Sequence, residues 1–319
     1  MHLAGYTAHP DRVQIAAACD ADLERAQRAS AAYKIPLACS SLEQLLEVPD
    51  WQVGVVCTPT TVREDVIIRL AAAGKHVFVE KPLASGLSEA LRMVENCEQS
   101  GVLLAVDQNF RWHYPFYLAK EAIEAGEIGK PLSIFHKDLM FRQDGGWRID
   151  CDRHALNVMG VHWLDGFRWI LQDEAASLSC RAFSSPAIQC AGETDAHIQI
   201  AFNKGVTATY VESFSSPLSE TGTLILGKDG CLALDYGGMS LYTPDHRTSA
   251  KQQWTSPYAG AGKPESAFRG LDELLNSIDA GKQPGNSGRD NLNTIALIEG
   301  AYLSAAEGRT VTYLDGVPR

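Results

Sequence analysis

The segment Val77-Phe78-Val79-Glu80-Lys81-Pro82 is an apolar run that ends abruptly in an acid, a lysine and a proline. Continuous apolar runs are typical of strands in parallel sheets, because helices cover both faces of such sheets. Ligands of open α/β sheets bind at the carboxyl ends of these strands. Lys81 is therefore a candidate catalytic residue, although a lone lysine at a strand end is more often a solvent-facing charge.

The first third of the chain alternates short apolar segments with longer helical ones. Strands are predicted at Val13–Asp20, Val53–Cys57, His76–Val79 and Val102–Val106, and helices at Ala21–Lys34, up to about Ala73, and at Ser88–Ser100. Gly74 and Gly101 follow two of these helices, where glycine commonly caps a helix. The alternation predicts βαβ units, and hence a parallel sheet with right-handed crossovers.

The rhythm changes at about Asn109, after which most segments are typical of strands. Helices are predicted at Pro115–Ala125, Ala155–Leu171, Glu265–Ala280 and Asp290–Ala306, and strands at Leu132–Phe141, Ser177–Ser184, His197–Phe202, Val206–Ser213, Thr223–Leu226 and Cys231–Leu234. Glycine-containing turns separate several of these strands. A chain of 319 residues predicts two domains. We place the first at residues 1–108 and the second at residues 109–319.

A series of motifs carries a family resemblance. They are Asp20 closing a strand, Cys57-Thr58-Pro59, the stretch from Ala73 to Ala84, Asn109-Phe110-Arg111, Gly126-Glu127-Ile128-Gly129-Lys130-Pro131 and Gly160-Val161-His162-Trp163-Leu164-Asp165. Through them the chain resembles the Gfo/Idh/MocA oxidoreductase family over nearly its whole length. The resemblance implies an N-terminal Rossmann-type parallel sheet and a C-terminal α/β domain with a large, mostly antiparallel open sheet. It also implies NAD(P)-dependent chemistry on sugars, cyclitols or related polyols.

The resemblance implies two catalytic residues. Oxidation of a secondary alcohol needs a base near neutral pKa that takes the hydroxyl proton while hydride leaves the carbon. His162 suits this role, although a lone helical histidine among aromatic residues is more often a packed one. Lys81 would donate a hydrogen bond to the same oxygen, and Glu80 would orient Lys81. Asp165 shares a helical face with His162 and either orients the imidazole or holds the helix in place.

The resemblance also implies binding residues. The expected cofactor contacts are Asp20, Cys57, Thr58, Pro59, Glu80, Lys81 and Asn109, and the expected substrate contacts are Arg111, Trp147, Arg148 and His162. Asp20 would close the second strand of a Rossmann-type sheet. An acid at that position binds ribose hydroxyls and repels a 2′-phosphate, so NAD is preferred over NADP. Arginine suits carboxylates or phosphates, but surface charge is the alternative reading of such residues. The Lys81–Pro82 bond is a candidate cis bond.

No metal site is expected. Asp150, Asp152 and His154 offer ligands at alternate positions, but such residues are also ordinary in loops, and the resemblance implies no metal.

The formal net charge of −11 argues against nucleic acid or an anionic membrane as the main partner. Eight cysteines form no Cys-x-x-Cys pair, which favours reduced thiols in a cytoplasmic protein. No apolar run approaches the length of about 20 residues that spans a membrane.

Two departures from the family pattern matter. The family places a strand and a Gly-x-Gly-x-x-Gly turn before the segment equivalent to His2-Leu3-Ala4-Gly5-Tyr6, so we expect Met1 to be an internal methionine or the start of a truncated chain. Val158 stands where the family often has an aspartate, four residues before His162. Both departures favour a sugar-sensing or dinucleotide-sensing regulatory protein as an alternative. A folded but inactive fragment, and a lyase or hydrolase with tightly held NAD, are further alternatives. A homodimer or homotetramer is the expected assembly.

Overall fold

The structure is a computed structural model that describes residues 1–258 and 262–319. Its residues divide into two compact units. The first comprises Met1–Ala84, Ser88–Asn109 and Lys263–Asn291, and the second comprises Ser85–Leu87, Phe110–Gly262 and Leu292–Arg319. The sequence-based division differs from this grouping in residues 263–291, which it assigned to the second domain. The boundary between residues 108 and 109 stays a prediction.

The described residues form the following helices and strands. The α-helices are α1 (His2–Thr7), α2 (Leu23–Tyr33), α3 (Leu42–Leu46), α4 (Thr60–Ala72), α5 (Leu87–Gln99), α6 (Tyr114–Glu124), α7 (Val161–Leu171), α8 (Lys263–Ala280) and α9 (Gly288–Glu307). The strands are β1 (Ala17–Cys19), β2 (Leu37–Cys39), β3 (Val53–Val56), β4 (His76–Glu80), β5 (Leu104–Asp107), β6 (Pro131–Phe141), β7 (Ala175–Phe183), β8 (Asp195–Phe202), β9 (Thr207–Ser213), β10 (Ser215–Gly227), β11 (Cys231–Asp235), β12 (Gly238–Tyr242), β13 (Gln252–Thr255), β14 (Val311–Leu314) and β15 (Val317–Pro318).

The first unit contains only parallel strand pairs among the described residues. Strands β1 and β2 form one parallel sheet, and β3, β4 and β5 form another in that order. The middle strand β4 is the most buried, with Val77, Phe78 and Val79 inaccessible to solvent. These observations confirm the predicted βαβ alternation. The predicted strand at Val13–Asp20 was too long, because Val13 and Ile15 pack against the apolar cluster around Phe78 without joining a sheet.

The carboxyl ends of β3, β4 and β5 lie side by side. Val56 pairs with Val79, and Glu80 pairs with Asp107, in the parallel ladder. The loops that follow these pairs therefore leave the sheet together. Helix α4 begins directly after one of them, with Pro59 at its N-cap position. This edge is where a parallel α/β sheet binds its ligands.

The second unit is built on a ten-stranded sheet with the order β13-β12-β11-β10-β6-β9-β8-β7-β14-β15. Its strand pairs are antiparallel except for β6 and β9. Its buried core combines helix residues such as Leu164 and Phe167 with strand residues such as Ile134, Tyr210 and Ile225. The large, mostly antiparallel sheet was predicted and is confirmed. The short strands β12 to β15 were not predicted, because their sequences alternate weakly.

The segment before His162 is not α-helical throughout. Residues Leu156–Gly160 form a π-helical turn, and α7 begins at Val161. The sequence predicted one continuous α-helix over Ala155–Leu171. The prediction was wrong for the first turn of that helix, because the spacing of apolar residues does not reveal where a π-turn adds one residue to a helical turn. π-Turns hydrogen-bond from i to i+5 and occur often at functional sites. The expectation that position 158 shares a helical face with His162 assumed α-helical spacing, which does not hold across this π-turn.

In the part of the chain that the structure describes, none of the helices combines the length and the apolar character needed to cross a membrane.

Candidate active site

The loop after β4 carries Glu80, Lys81 and Pro82. The Lys81–Pro82 peptide bond is cis, as considered from the sequence. One carboxylate oxygen of Glu80 accepts a hydrogen bond from the backbone N–H of Lys81 at 3.1 Å. Lys81 itself is partly buried. Glu80 therefore fixes the backbone of Lys81, which is consistent with the orienting role expected for it.

Arg63 in α4 anchors this loop and was not predicted. Its guanidinium is almost fully buried, and it donates hydrogen bonds to the backbone carbonyls of Thr58, Glu80 and Pro82. One side chain thus ties the turn after β3 to the turn after β4. Burial lowers the pKa of Arg63 to about 10. The sequence signal was an arginine one turn into the helix that follows Thr58-Pro59, but its partners are backbone atoms that no motif identifies.

His2 connects α1 to the same loop, again without any sequence prediction. Its Nε2 atom lies 2.6 Å from a carboxylate oxygen of Glu80 and 3.6 Å from a carboxylate oxygen of Asp107. Its Nδ1 atom lies 2.9 Å from the hydroxyl of Tyr6. Asp107 is inaccessible to solvent, and neither of its carboxylate oxygens has a hydrogen-bond partner. We call Tyr6, His2, Glu80 and Asp107 the buried acid cluster.

The groups of the buried acid cluster differ in the direction in which their pKa values are shifted. Burial and the negative charge of Glu80 raise the pKa of Asp107 well above its usual range, which favours the neutral form of this acid. Burial also opposes ionisation of Glu80, but the hydrogen bond and charge of His2 outweigh it and lower the pKa of Glu80. Burial would lower the pKa of His2, whereas interactions with Cys57, Glu80 and Asp107 raise it to about 10. The cluster is thus a His2–Glu80 ion pair beside a neutral acid.

We expect Asp107 to cost stability as the pH rises. The pKa of such a carboxyl is about 3.9 in the unfolded chain and higher in the folded protein. The folded protein therefore loses stability relative to the unfolded chain as the pH rises above about 3.9. Asp107→Asn removes this titration, so the variant should gain free energy of unfolding relative to the wild type as the pH rises from about 4 to about 7. Urea unfolding at a series of pH values measures this gain. A difference that does not change with pH would contradict the neutral state of Asp107.

The other predicted cofactor residues follow strands of the first unit, Asp20 in the β1–β2 sheet and the others in the β3–β4–β5 sheet. Asp20 follows β1, is half-buried, and accepts a hydrogen bond from the backbone N–H of Asp22 at 2.9 Å. Cys57 is exposed, and the hydroxyl of Thr58 is buried without a hydrogen-bond partner. The amide of Asn109 lies 3.9 Å from the sulfur of Met1.

These residues fit part of a dinucleotide. The hydroxyl of Thr58, the carboxyl of Asp107 and the amide of Gln108 are buried polar groups without hydrogen-bond partners at one edge of the β3–β4–β5 sheet. Buried polar groups are normally satisfied, so a polar ligand is the natural partner here. The half-buried carboxylate of Asp20 suits ribose hydroxyls. The strand ends therefore fit the ribose and nicotinamide parts of NAD.

His162 is held by aromatic packing in the second unit. It occupies the first turn of α7 and is 6% exposed. Its ring stacks on Phe110 with centroids 4.1 Å apart and planes at 14°. The neighbouring Trp163 donates a hydrogen bond through Nε1 to Asp138 at 2.9 Å. The packed arrangement considered from the sequence is thus present, and it also fixes the orientation of the imidazole.

Asp165 and Arg111, two residues for which separate roles were predicted, bind each other. Arg111 donates through Nε and one terminal nitrogen to the two oxygens of Asp165, each at 2.7 Å. The hydroxyl of Thr294 donates to Asp165 at 2.7 Å, and Arg168 lies within 3.5 Å. Both carboxylate oxygens therefore serve a buried ion pair. This favours the structural role of Asp165, and contact of Arg111 with substrate stays a prediction.

Trp147 and Arg148 lie together in a 3-10 turn. The guanidinium of Arg148 lies 5.1 Å from the ring centroid of Trp147, which is 44% exposed.

His154 is buried, and its Nε2 lies 3.0 Å from Asp144. Across residues 1–258 and 262–319, the group of side chains with metal-ligand spacing is His2, Glu80 and Asp107, and not the loop residues 150, 152 and 154 considered from the sequence.

The chain is similar to known proteins. Residues 1–108 match the family described as an oxidoreductase family with an NAD-binding Rossmann fold, and residues 116–233 match the Gfo/Idh/MocA C-terminal domain. The chain is 30% identical over 316 residues to D-apiose dehydrogenase of Paraburkholderia graminis, which covers 94% of this chain and 83% of that protein. It is 26% identical to myo-inositol 2-dehydrogenase of Thermotoga maritima, over 88% of this chain and 83% of that protein.

A solved structure agrees over the full length. An oxidoreductase of Agrobacterium radiobacter, crystallised with NAD+, L-tartaric acid and magnesium, is 27% identical with a TM-score of 0.85, covering 97% of this chain and 94% of that chain. Fold and matches together define an oxidoreductase with an NAD-binding Rossmann domain. The chain belongs to the Gfo/Idh/MocA family.

Proposed function

We propose that the protein is an NAD-dependent dehydrogenase that interconverts a secondary alcohol and a ketone of a sugar, cyclitol or related polyol. The observation that carries the proposal is the loop after β4, where Glu80 holds Lys81 at a strand end lined by buried polar groups without partners. The relatives named above act, by their names, on apiose and on myo-inositol. Their names support a polyol substrate but do not select one.

Each proposed residue has a separate task. Asp20 binds the ribose, and Thr58 and Gln108 supply polar groups to the nicotinamide half of NAD. NAD, when bound, provides the acceptor for hydride. The ammonium of Lys81 stabilises negative charge on the reacting oxygen, because a charged donor in a site with little water is effective there. His162 takes up the hydroxyl proton at an imidazole nitrogen.

Support for joining Lys81 and His162 in one reaction comes from the family relationship. Each lies within its own structural unit, with its orientation fixed by the local contacts described above. The substrate contacts of Trp147, Arg148 and Arg111 are part of the same proposal. Trp147 presents an exposed flat ring, which suits the apolar face of a sugar.

An absorbance assay tests the proposal. Purified protein is incubated with NAD and a panel of aldoses, inositols and sugar acids, and formation of reduced nicotinamide is followed. We expect at least one polyol to be oxidised with saturation kinetics. Failure of every polyol to react in the presence of bound NAD would contradict the proposal.

A regulatory protein that senses a sugar or dinucleotide is the second candidate. The observation that favours it is Val158, in place of the aspartate that the family often has before His162. This candidate predicts binding of NAD or sugar without turnover. The same assay, combined with calorimetric titration of both ligands, separates the two candidates.

We expect NAD to bind more tightly than NADP. The half-buried carboxylate of Asp20 accepts ribose hydrogen bonds and repels a 2′-phosphate. Asp20→Ser should remove most of this preference, while Asp22→Ser, two residues further along the chain, should retain it. Fluorescence titration with both dinucleotides measures the ratio of dissociation constants. Equal affinity of the wild-type protein for the two dinucleotides would contradict the assignment of Asp20.

We also propose that the protein is a homodimer or homotetramer. The uncovered face of the ten-stranded sheet forms a concavity of about 820 Å³ whose lining includes Phe135, Val211 and Leu224. Phe135 and Leu224 are each 45% exposed. An apolar sheet face of this kind is commonly covered by another chain.

Substitution of this face tests the assembly. The double variant Phe135→Glu/Leu224→Lys should shift the protein towards monomer, whereas Leu23→Lys on α2 should not. Sedimentation velocity at micromolar concentration measures the distribution. A wild-type protein that sediments as a monomer would contradict the proposed assembly.

A further inference from the structure

The buried acid cluster contains a charge that the proposed reaction does not use. His2 bridges Tyr6 and Glu80 through its two ring nitrogens, at 2.9 Å and 2.6 Å. Both contacts are satisfied when the imidazole carries a proton on each nitrogen. Glu80 in turn offers its second oxygen to the backbone of Lys81. A histidine in the first helix is therefore joined by one carboxylate to the proposed catalytic lysine.

Other charged and titratable groups surround this chain of contacts. Asp107, at the end of β5, approaches His2 to 3.6 Å and is fully buried. Cys57, after β3, interacts with His2, and Arg63 in α4 donates to the carbonyl of Glu80. Lys81 is the remaining cation, and it interacts electrostatically with both Glu80 and Asp107.

We propose that His2 is a positioning residue for Lys81: its positive charge keeps Glu80 as an ion-pair partner, so that the lysine ammonium stays directed to the substrate oxygen. The inference rests on the proposed dehydrogenase function. It assigns no contact between His2 and substrate.

The physical reason is competition for one carboxylate. Glu80 and Lys81 are adjacent in sequence, and a half-buried carboxylate that lost its His2 partner would attract the lysine ammonium more strongly, because charges interact more strongly away from water. His2 lies 2.6 Å from Glu80 and satisfies that charge first. Asp107 would be a second competitor if it were ionised. Its buried surroundings and the charge of Glu80 raise its pKa, so it stays neutral and does not draw Lys81 away.

The test measures Lys81 directly and without cofactor. Acylation of Lys81 by a water-soluble acetylating ester is followed by mass spectrometry over a range of pH in the wild type and in His2→Gln, which keeps a hydrogen-bond donor but loses the charge. We expect the apparent pKa for acylation of Lys81 to rise by about one unit in His2→Gln, which makes acylation about tenfold slower below that pKa. His2→Lys, which restores a positive charge, should recover much of the wild-type rate.

Steady-state kinetics provide the second readout. His2→Gln should lower kcat for the polyol substrate about tenfold, with KM for NAD and for polyol changed less than about twofold, because the substitution turns the Lys81 ammonium towards Glu80 and leaves the binding contacts in place. His9→Gln is the matched control. His9 also pairs with a glutamate, Glu265, at 3.2 Å and packs on Phe268, but it has no contact with Glu80 among those described. It should leave both readouts unchanged.

The outcomes separate this inference from the proposed function. If the wild type oxidises polyols while acylation of Lys81 and kcat are unchanged in His2→Gln, the inference is overturned. If acylation shifts as expected but no polyol reacts, the link from His2 to Lys81 stands and the proposed function fails. If His2→Gln does not fold, 15N chemical shifts of His2 in the wild type decide: two protonated nitrogens at pH 8 support the inference, and a neutral ring overturns it.

Discussion

Lys81→Ala and His162→Ala should each lower turnover by about a hundredfold or more, within the range found for acid–base groups and for donors to a developing oxyanion. Lys81→Ala removes the cation that stabilises the reacting oxygen. His162→Ala removes the proposed proton acceptor. Both proteins should fold, because Lys81 is only partly buried and loss of the imidazole leaves Phe110 and Trp163 packed in the same core. Initial rates of reduced-nicotinamide formation at saturating substrate measure both effects.

Matched controls make these results specific. Lys75→Ala removes a lysine just before β4, whose Nζ donates to the carbonyl of Trp51, and it should keep activity. His9→Ala removes a half-buried histidine that has no role in the proposed mechanism, and it should also keep activity. The double variant Lys81→Ala/His162→Ala should lose less than the product of the two single effects if both residues act in one step. Full activity in either single variant would remove that residue from the proposed mechanism.

Asp165→Ala should lower the free energy of unfolding by about 3–5 kcal/mol, because it removes the partner of a buried charge. Arg111 and Asp165 are 3% and 1% exposed, and two parallel hydrogen bonds join them. Thr294 also loses its acceptor. Equilibrium unfolding in urea measures the change.

A double replacement separates the ion pair from the lost volume. Arg111→Met/Asp165→Leu substitutes apolar groups for both charges and should be clearly more stable than Asp165→Ala, since neither charge is left buried alone. A loss below about 1 kcal/mol in Asp165→Ala would show that the pair contributes little. Full activity in Asp165→Asn would assign Asp165 to structure alone.

The sequence predicted those parts of the molecule that local patterns determine. The apolar run ending in Glu80-Lys81 predicted both the central strand β4 and the position of the lysine at its carboxyl end. Gly74 and Gly101 have positive φ, as expected for glycines that follow helices. The longer strands of the second unit could be predicted because clear turns separate them, whereas their assembly into one large sheet was expected from the family resemblance. These features depend on neighbours within a few residues along the chain.

Contacts between distant segments could not be predicted in this way. His2 reaches Glu80 across 78 positions, and Arg111 reaches Asp165 across 54. Asp107 reads as the polar end of an ordinary strand, and only its burial beside Glu80 makes it neutral. Arg63 binds carbonyl groups, which carry no sequence signal. The π-turn before His162 shows the same limit, because an apolar pattern does not specify which hydrogen bonds the backbone makes.

Isotope transfer tests the central claim most directly. A polyol that the protein oxidises is prepared with deuterium on the reacting carbon, and the reduced nicotinamide is analysed by mass spectrometry. Direct hydride transfer predicts one deuterium in the reduced cofactor for each ketone formed, with the yield of both falling together in Lys81→Ala. Ketone formation without deuterium in the cofactor, or bound NAD that is never reduced by any polyol, would contradict the assignment of this protein as a dehydrogenase.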